Sequence, residues 1–505
     1  MFHRSLSARS ARMRSLTTFL LVLCFCLSLV PSLRAQASGK IEGTVVDSSQ
    51  AVVPGARLTC KNVDTGLVRT VETNAAGIFA FPDLPIGQYT LAVSRQGFKA
   101  LNTNPMQLLT GQELNLPLVL EVGDVSQSVQ VTSEATLVQT ASSAVETSVT
   151  EKQMADLPLN GRNAFQLTAL TPGTVITNVG TESGQQDNQG LSVNGLRATQ
   201  NNFQLDGALY TNRFFDSVPT MPSPDALQEF TIQTAGYSAQ YGGAGALIQL
   251  STRSGSNELH GSAFEFLRNT DLNARNFFNL TRPPYKLNQF GGTAGGPIRK
   301  NKTFFFFSAQ DTERRSSPSP VSITTPTAAQ RTGDFSALLP KTVLTDPKGG
   351  SFPGNIIPTS RLDPITVKIA NALVPLPNSG TQWIGVTAQN LDDTQYLARI
   401  DQMLGNNNHL SGHYFYDQDN FQRPFSAPTG FFAENLFRNQ TGVLRDTYVF
   451  NATTTLSLDF NFGPSRARRY LKLPVSRPFS PSARTSPWEL PCRSFPVSAP
   501  TSPAS

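Results

Sequence analysis

Two of the chain's four histidines, His409 and His413, have the spacing of the zinc motif H-E-x-x-H. That motif works when a helix puts both imidazoles on one face and the intervening glutamate serves as base. Here Leu410, Ser411 and Gly412 intervene, no glutamate is present, and the flanking residues alternate like a strand, so zinc hydrolysis is not expected. His3 and His260 are the others, and no Ser-His-Asp set suggests itself. The run Tyr241 to Ala246, YGGAGA, has the glycines of a phosphate-cradling loop. No G-K-[ST] follows it, however, and no strand-loop-helix order surrounds it. Cys24 and Cys26 fall in an apolar run near the N-terminus and Cys492 in the last forty residues or so, which leaves Cys60 alone in the body. Neither a disulfide framework nor a cysteine metal cluster is available. The acidic residues near the first domain lack the D-x-D-x-D-G spacing of a calcium loop. The expectation is a protein that is not an enzyme, with no catalytic residue, no cofactor and no metal.

With covalent chemistry set aside, the elements themselves carry the reading. Arg4, Arg9, Arg12 and Arg14 precede an apolar run from Leu16 to Val30, and Ala35, Gln36 and Ala37 follow. A positive region, a short apolar region and small residues make a secretory signal peptide over residues 1–37, with Ala35 and Ala37 suited to the signal-peptidase pocket. The apolar run is broken by Pro31 and Arg34 and falls short of the roughly 20 residues a membrane helix needs. Downstream, a hydrophobic content of 39% and a mean hydropathy of −0.21 exclude helical spans. They leave room for barrel strands, which turn only every second residue to lipid. The net charge of +6 is concentrated at the ends, so nucleic acid is not an expected partner.

Residues 38–121 read as short strands between turn signals, an all-β sandwich. In QYTLAV, Tyr89, Leu91 and Val93 share a face, as do Ala56, Leu58 and Cys60 in GARLTCK. The strings G-x-V-x-D at Gly43–Asp47, V-P-G-A at Val53–Ala56, T-x-x-x-G-x-F at Thr73–Phe79 and L-P-x-G-x-Y-x-L at Leu84–Leu91 resemble the carboxypeptidase regulatory-like family. The resemblance implies a transthyretin-like sandwich without catalytic residues; an accessory or docking module is the functional reading, and a spacer the alternative.

Residues 122–255 come next. LPLNGRNAFQLTALTPG at Leu157–Gly173, SVNGLRATQNNFQLDGALYTN at Ser192–Asn212 and PDALQEF through YGGAGALIQLSTRSGSNELHGS resemble the plug domain of Oar-like TonB-dependent receptors. Asn160, Gly161 and Arg162 read as a turn and cap before a helix face of Phe165, Leu167 and Leu170. Val193-Asn194-Gly195 and Leu205-Asp206-Gly207 read as strand ends with tight turns, and Ala226 to Phe230 as a short helix. Arg162, Arg197 and Asn201 are expected to hold turns or face a barrel wall. Ahead of the plug, DVSQSVQVTSEA resembles a TonB box, an extended segment that pairs with an energy-coupling protein of the inner membrane by main-chain hydrogen bonds. Its residues are Asp124, Val125, Gln127, Ser128, Val129, Gln130, Val131 and Thr132. An ordinary linker or a last strand of the sandwich is the competing reading.

Residues 256–463 show alternating segments separated by long polar loops, as barrel strands do. In TTTLSLDFNFG, Leu456, Leu458, Phe460 and Phe462 alternate with Thr455, Ser457, Asp459 and Asn461, apolar side chains to lipid and polar ones to the lumen. GSAFEFL, KTFFFFSAQD, YLARIDQ, HLSGHYFYDQ and GVLRDTYVF repeat the pattern. FEFLRNTDLNARNFFN, NQFGGTAGGPIRKNKTFFFFSAQDTERR and GNIIPTSRLDPI resemble Oar-like barrels. After Gly463 the composition shifts: nine Ser, nine Pro and six Arg occur in residues 464–505, which reads as a disordered tail from a shifted or truncated reading frame, with a natural disordered tail as the competing reading. A barrel around a plug takes about 22 strands, so an incomplete barrel that does not transport by itself is expected.

The chain is thus read as mainly β: a transthyretin-like sandwich, an α/β plug, then an incomplete transmembrane β-barrel. The implied function is that of a TonB-dependent transporter or receptor for a large solute in the bacterial outer membrane. Its partners are outer-membrane lipid, a TonB-type coupling protein and an unidentified solute. The alternative is a secreted or surface protein of β-domains that binds carbohydrate or mediates adhesion.

Overall fold

The computed structural model describes residues 38–472, apart from 124–127, 132–143, 179–189, 212–219, 238–240, 243–244, 276, 278–281, 318–320, 386–388, 425–431 and 464. The leader with Ala35 and Ala37 lies outside the described residues.

The first unit is a two-sheet sandwich. Its strands are β1 (Ser38–Asp47), β2 (Arg57–Asn62), β3 (Val68–Glu72), β4 (Ile78–Pro85), β5 (Gly87–Ser94), β6 (Ala100–Thr103), β7 (Met106–Leu108), β8 (Glu113–Leu120) and β9 (Ser128–Val131). One sheet runs β4-β1-β8 and the other β3-β2-β5-β6-β9, with β7 beside β5. Period-two burial is explicit in β5 and β8, where every second residue is buried, and Ile41, Phe79, Phe81, Leu91 and Leu116 meet in the core. The family motifs have local duties. Asp47 Oδ1 accepts from the amides of Ser49 at 2.8 Å and Ala51 at 2.9 Å, closing a turn. A Cβ on Gly43 would lie 2.0 Å from the Leu116 carbonyl oxygen, so the parallel pairing of β1 with β8 requires glycine there. Tyr89 Oη donates to Pro85 O at 2.7 Å. Burial pushes the Cys60 thiol up to about 12, which leaves it inert. Thr73 Oγ1 accepts from Ala56 N at 2.8 Å and donates to Val53 O at 2.7 Å. Thr73→Val keeps the shape and strands both partners, so a loss of about 1–3 kcal/mol is expected in equilibrium unfolding of the sandwich.

The second unit is a sheet in the order β10-β15-β16-β13-β14. It is built from β10 (Val145–Thr150), β13 (Asn202–Leu205), β14 (Ala208–Leu209), β15 (Leu227–Ala235) and β16 (Leu247–Thr252). Helix α1 (Glu151–Asp156) starts on a capping box of Thr150 and Gln153, and a small hairpin pairs β11 (Thr174–Asn178) with β12 (Gly190–Val193). Asn194 and Gly195, and Asp206 and Gly207, all have positive φ, the geometry that two-residue hairpin turns favour. Two local expectations need correction. The helix expected from Ala226 to Phe230 is a 3-10 turn at Pro224–Ala226 followed by strand β15. Leu227, Glu229, Phe230, Thr231 and Ile232 are all buried, and burial on both faces overrides helix propensity. The element after Asn160–Arg162 is also 3-10. Its cap is Asn163, whose side chain accepts from Phe165 N, while Phe165 and Leu167 are buried and Leu170 is 54% exposed.

The third unit is an antiparallel eight-stranded sheet. Its strands are β17 (His260–Asn269), β18 (Tyr285–Arg299), β19 (Thr303–Ser316), β22 (Gln389–Leu404), β23 (Asn408–Pro424), β24 (Phe432–Asn451), β25 (Thr454–Phe462) and β26 (Ser465–Lys472). Short turns join β18 to β19, β22 to β23 and β24 to β25, and the long excursions lie at the other end. The longest carries a small hairpin of β20 (Val321–Thr324) with β21 (Gln382–Gly385) and helices α2 (Ala328–Arg331) and α3 (Pro364–Leu373). Short turns at one end and long loops at the other are the polarity of outer-membrane barrels. Among the described residues the sheet is open, with β17 at one edge and β25 and β26 along the other. The boundary expected at Gly463 falls early. Strand β26 continues along β24 in the register that β25 sets, because the main-chain pairing that β24 offers is indifferent to the change in composition. Residues 473–505 lie outside the described residues.

Candidate functional site

The plug sheet packs against one face of the third sheet, the wall, and buried charge is concentrated there. Asp206 sits at the β13–β14 turn, where its backbone needs a positive φ, a conformation aspartate tolerates. Its Oδ1 accepts from Thr252 N at 2.9 Å and its Oδ2 from Thr252 Oγ1 at 2.6 Å. From the wall, His413 Nδ1 donates to Asp206 Oδ2 at 2.7 Å, and an Arg399 nitrogen is 3.6 Å from Oδ1. Arg399 also donates to Thr252 O at 3.0 Å and to both oxygens of Asp401 at 2.9 and 3.0 Å. His409 Nε2 lies 3.2 Å from Asp401. Burial works to raise the Asp206 pKa. The charges of His413 and Arg399 and the hydrogen bonds of His413 and Thr252 outweigh it and hold the carboxyl well below its usual range. The pair at zinc-motif spacing therefore serves two carboxylates, and no group of metal ligands occurs among the described residues.

Further contacts seat the plug. Gln395 Oε1 accepts from Ser223 N at 3.0 Å, and Gln289 Nε2 donates to Gly161 O at 3.1 Å. Arg162 pairs with Asp225 while its guanidinium lies 4.2 and 4.4 Å from the rings of Phe264 and Phe266 on β17. Phe306, Leu397 and Phe415 of the wall belong to the same apolar cluster as Phe165, Phe203 and Phe230 of the plug. Asn201 accepts from Ala246 N at 2.9 Å and donates to Leu191 O at 2.6 Å, holding plug strands together. The opposite face of the wall is apolar and bare: Phe307, Ile400, Leu444, Leu458 and Phe460 are 44–69% exposed. One face thus carries the plug through mixed polar and apolar contacts, and the other suits hydrocarbon.

Of the residues resembling a TonB box, Ser128–Val131 form β9, paired in parallel with β6 at the edge of the sandwich. Asp124, Val125, Gln127 and Thr132 lie outside the described residues. Sequence reasoning did not find Arg399 or the second role of Asp206, and it weighed His413 only as a zinc ligand. The Asp-Gly pair has a sufficient explanation as a turn, and nothing local announces that a wall residue some two hundred positions later meets it.

Comparison with known proteins gives three family matches. A carboxypeptidase regulatory-like domain covers residues 40–121, a TonB-dependent receptor plug domain 138–247, and an outer membrane beta barrel domain 251–488. The TonB-dependent transporter Oar of Myxococcus xanthus is 29% identical over 288 residues, 53% of this chain and 26% of that protein. The chain therefore spans about a quarter of the length of that relative. The crystal structure of the outer membrane transporter YddB from Escherichia coli covers 63% of this chain and 38% of its own, with 13% identity and a TM-score of 0.39. BauA, the ferric preacinetobactin receptor from Acinetobacter baumannii, covers 64% and 47%, with 11% identity and a TM-score of 0.34. With regulatory-like sandwich, plug and outer-membrane barrel domains matched one after another in this order, the chain is similar to the Oar-like TonB-dependent receptors.

Proposed function

We propose that the chain serves at the outer membrane as part of a plug-gated transporter or receptor for a large solute, and that the Asp206–His413–Arg399 contact is the seat from which the plug is released. The observation that carries the reading is a single buried carboxylate held at once by the plug's own Thr252 and by two wall strands. Such a contact closes or opens as a unit, and no covalent chemistry is involved. Residues 1–37 direct export, 38–121 form the accessory sandwich, 122–255 the coupling segment and plug, and the wall begins at residue 256. Expressed with its leader, the chain is expected in the outer-membrane fraction and in solution only with detergent. Recovery in the soluble periplasm or the medium would instead favour an adhesion or carbohydrate-binding protein.

The segment Asp124–Thr132 is the proposed contact for an inner-membrane coupling protein. Because β9 already pairs through one edge with β6, a partner strand has either the edge left open among the described residues to join or β9 to strip away, and both need main-chain donors. Val129→Pro with Val131→Pro removes two of them. Affinity for the purified periplasmic domain of a TonB-type protein, measured by surface-immobilised binding, is expected to fall about tenfold or more. Unchanged affinity would make β9 a sandwich strand alone.

A further inference from the structure

We propose that the N-terminal sandwich is a clamp, whose turn at residues 109–112 holds strands β15 and β16 of the plug in place from the short-turn end of the wall. The turn joins β7 to β8. It is closed by Gln112 N donating to Leu109 O at 3.2 Å, and it is tied to the start of β1 by Gly111 N donating to Ser38 O at 3.0 Å. Thr110 at its tip is 2% exposed and lies on the plug sheet. Its amide donates to Glu229 Oε1 at 2.5 Å, and its hydroxyl is 2.7 Å from Ser251 Oγ. Glu229 on β15 and Ser251 on β16 are register partners, so a single sandwich residue bridges two adjacent plug strands. Glu229 is 1% exposed, and a carboxyl this deep is costly once its donor leaves.

A second grip reaches the wall. Leu67 of the sandwich forms a buried cluster with Phe304 at the start of β19 and Met403 at the end of β22. Asp64 O accepts from Asn257 N at 2.9 Å, and Asn257 is itself bonded to Asn301 in the β18–β19 turn at 2.8 Å. The sandwich therefore holds plug and wall together at the short-turn end of the wall, and plug release has to break these contacts as well as the Asp206 seat. This inference stands on contacts independent of the coupling segment.

Thr110 occupies the second position of a turn whose third residue, Gly111, has φ +72°, a type II arrangement that accepts proline at that second position. Thr110→Pro thus removes the amide and the hydroxyl while preserving the turn. In detergent, amide hydrogen exchange of the full chain reads the consequence. Exchange in 227–235 and 247–252 is expected to accelerate about tenfold or more, with β1, β5 and β8 as protected as in the native chain, and Thr110→Ser should behave as native. Native-like exchange in the plug of an intact Thr110→Pro protein overturns the clamp. If Thr110→Pro also loosens β1, β5 and β8, Thr110→Val decides: faster plug exchange supports the clamp, and unchanged exchange overturns it.

Discussion

Replacing Asp206 with alanine is expected to unseat the plug, at a cost of about 3–5 kcal/mol, the range found when one partner of a buried ion pair is removed. The side chain satisfies Thr252 on its own sheet and His413 and Arg399 on the wall, so alanine leaves a buried imidazole donor and an amide without acceptors. Arg399 keeps Asp401, which limits the damage on that side. Denaturant midpoints in detergent measure the loss, and hydrogen exchange locates it in β13 and β16. A double-mutant cycle with His413→Ala isolates the contact. Coupling of about 0.5–3 kcal/mol is expected between touching residues, whereas additive effects would remove His413 from the seat. The pH dependence has a definite sign. A carboxyl whose folded pKa lies below its unfolded value of about 3.9 stabilises the fold fully above that value and loses the contribution as pH falls through the folded pKa. Asp206 is such a group, so protonation of its own carboxyl weakens the seat only in strong acid. Asp206→Asn should lose that acid dependence.

The sandwich was the most legible part of the sequence because its signals are local. Asp47, Gly43 and Tyr89 are recognisable in motifs, and each acts within its own turn or on the neighbouring strand. The wall was legible wherever polarity alternates, as in β19 and β25. Strand β18 is harder to read: Gly291, Gly292, Gly295 and Gly296 erase the alternation, because close packing there uses missing side chains. Residues 226–230 misled in the opposite sense, since Ala-Leu-Gln-Glu-Phe favours a helix locally and becomes a strand through burial on both faces. Composition also misled at Gly463, because strand pairing along β24 is a main-chain property. The site was the least legible. Asp206, Arg399, Thr110 and Glu229 are unremarkable in their own neighbourhoods, His413 stands out only for a zinc spacing it does not serve, and all become functional candidates only when chain closure brings them together.

Phe460→Arg tests the surface on which the membrane reading depends. Phe460 is 69% exposed, its register partner Leu444 is 51% exposed, and Leu458 beside it is 59% exposed. In water, a charged residue at so open a position changes stability by no more than about 0.5 kcal/mol and improves solubility by breaking an apolar patch. In hydrocarbon, an arginine facing lipid costs about 2–4 kcal/mol near the bilayer midplane. The two solvents therefore predict opposite outcomes for one substitution. A sharp fall in outer-membrane yield and in refolding into lipid vesicles is expected, while Asn461→Arg, one residue along on the other face of β25, should insert as the native chain does. Because both variants add the same charge to the same strand, only the direction of the side chain separates them. A Phe460→Arg protein that is more soluble and as stable as the native chain would mean that these aromatic side chains face water.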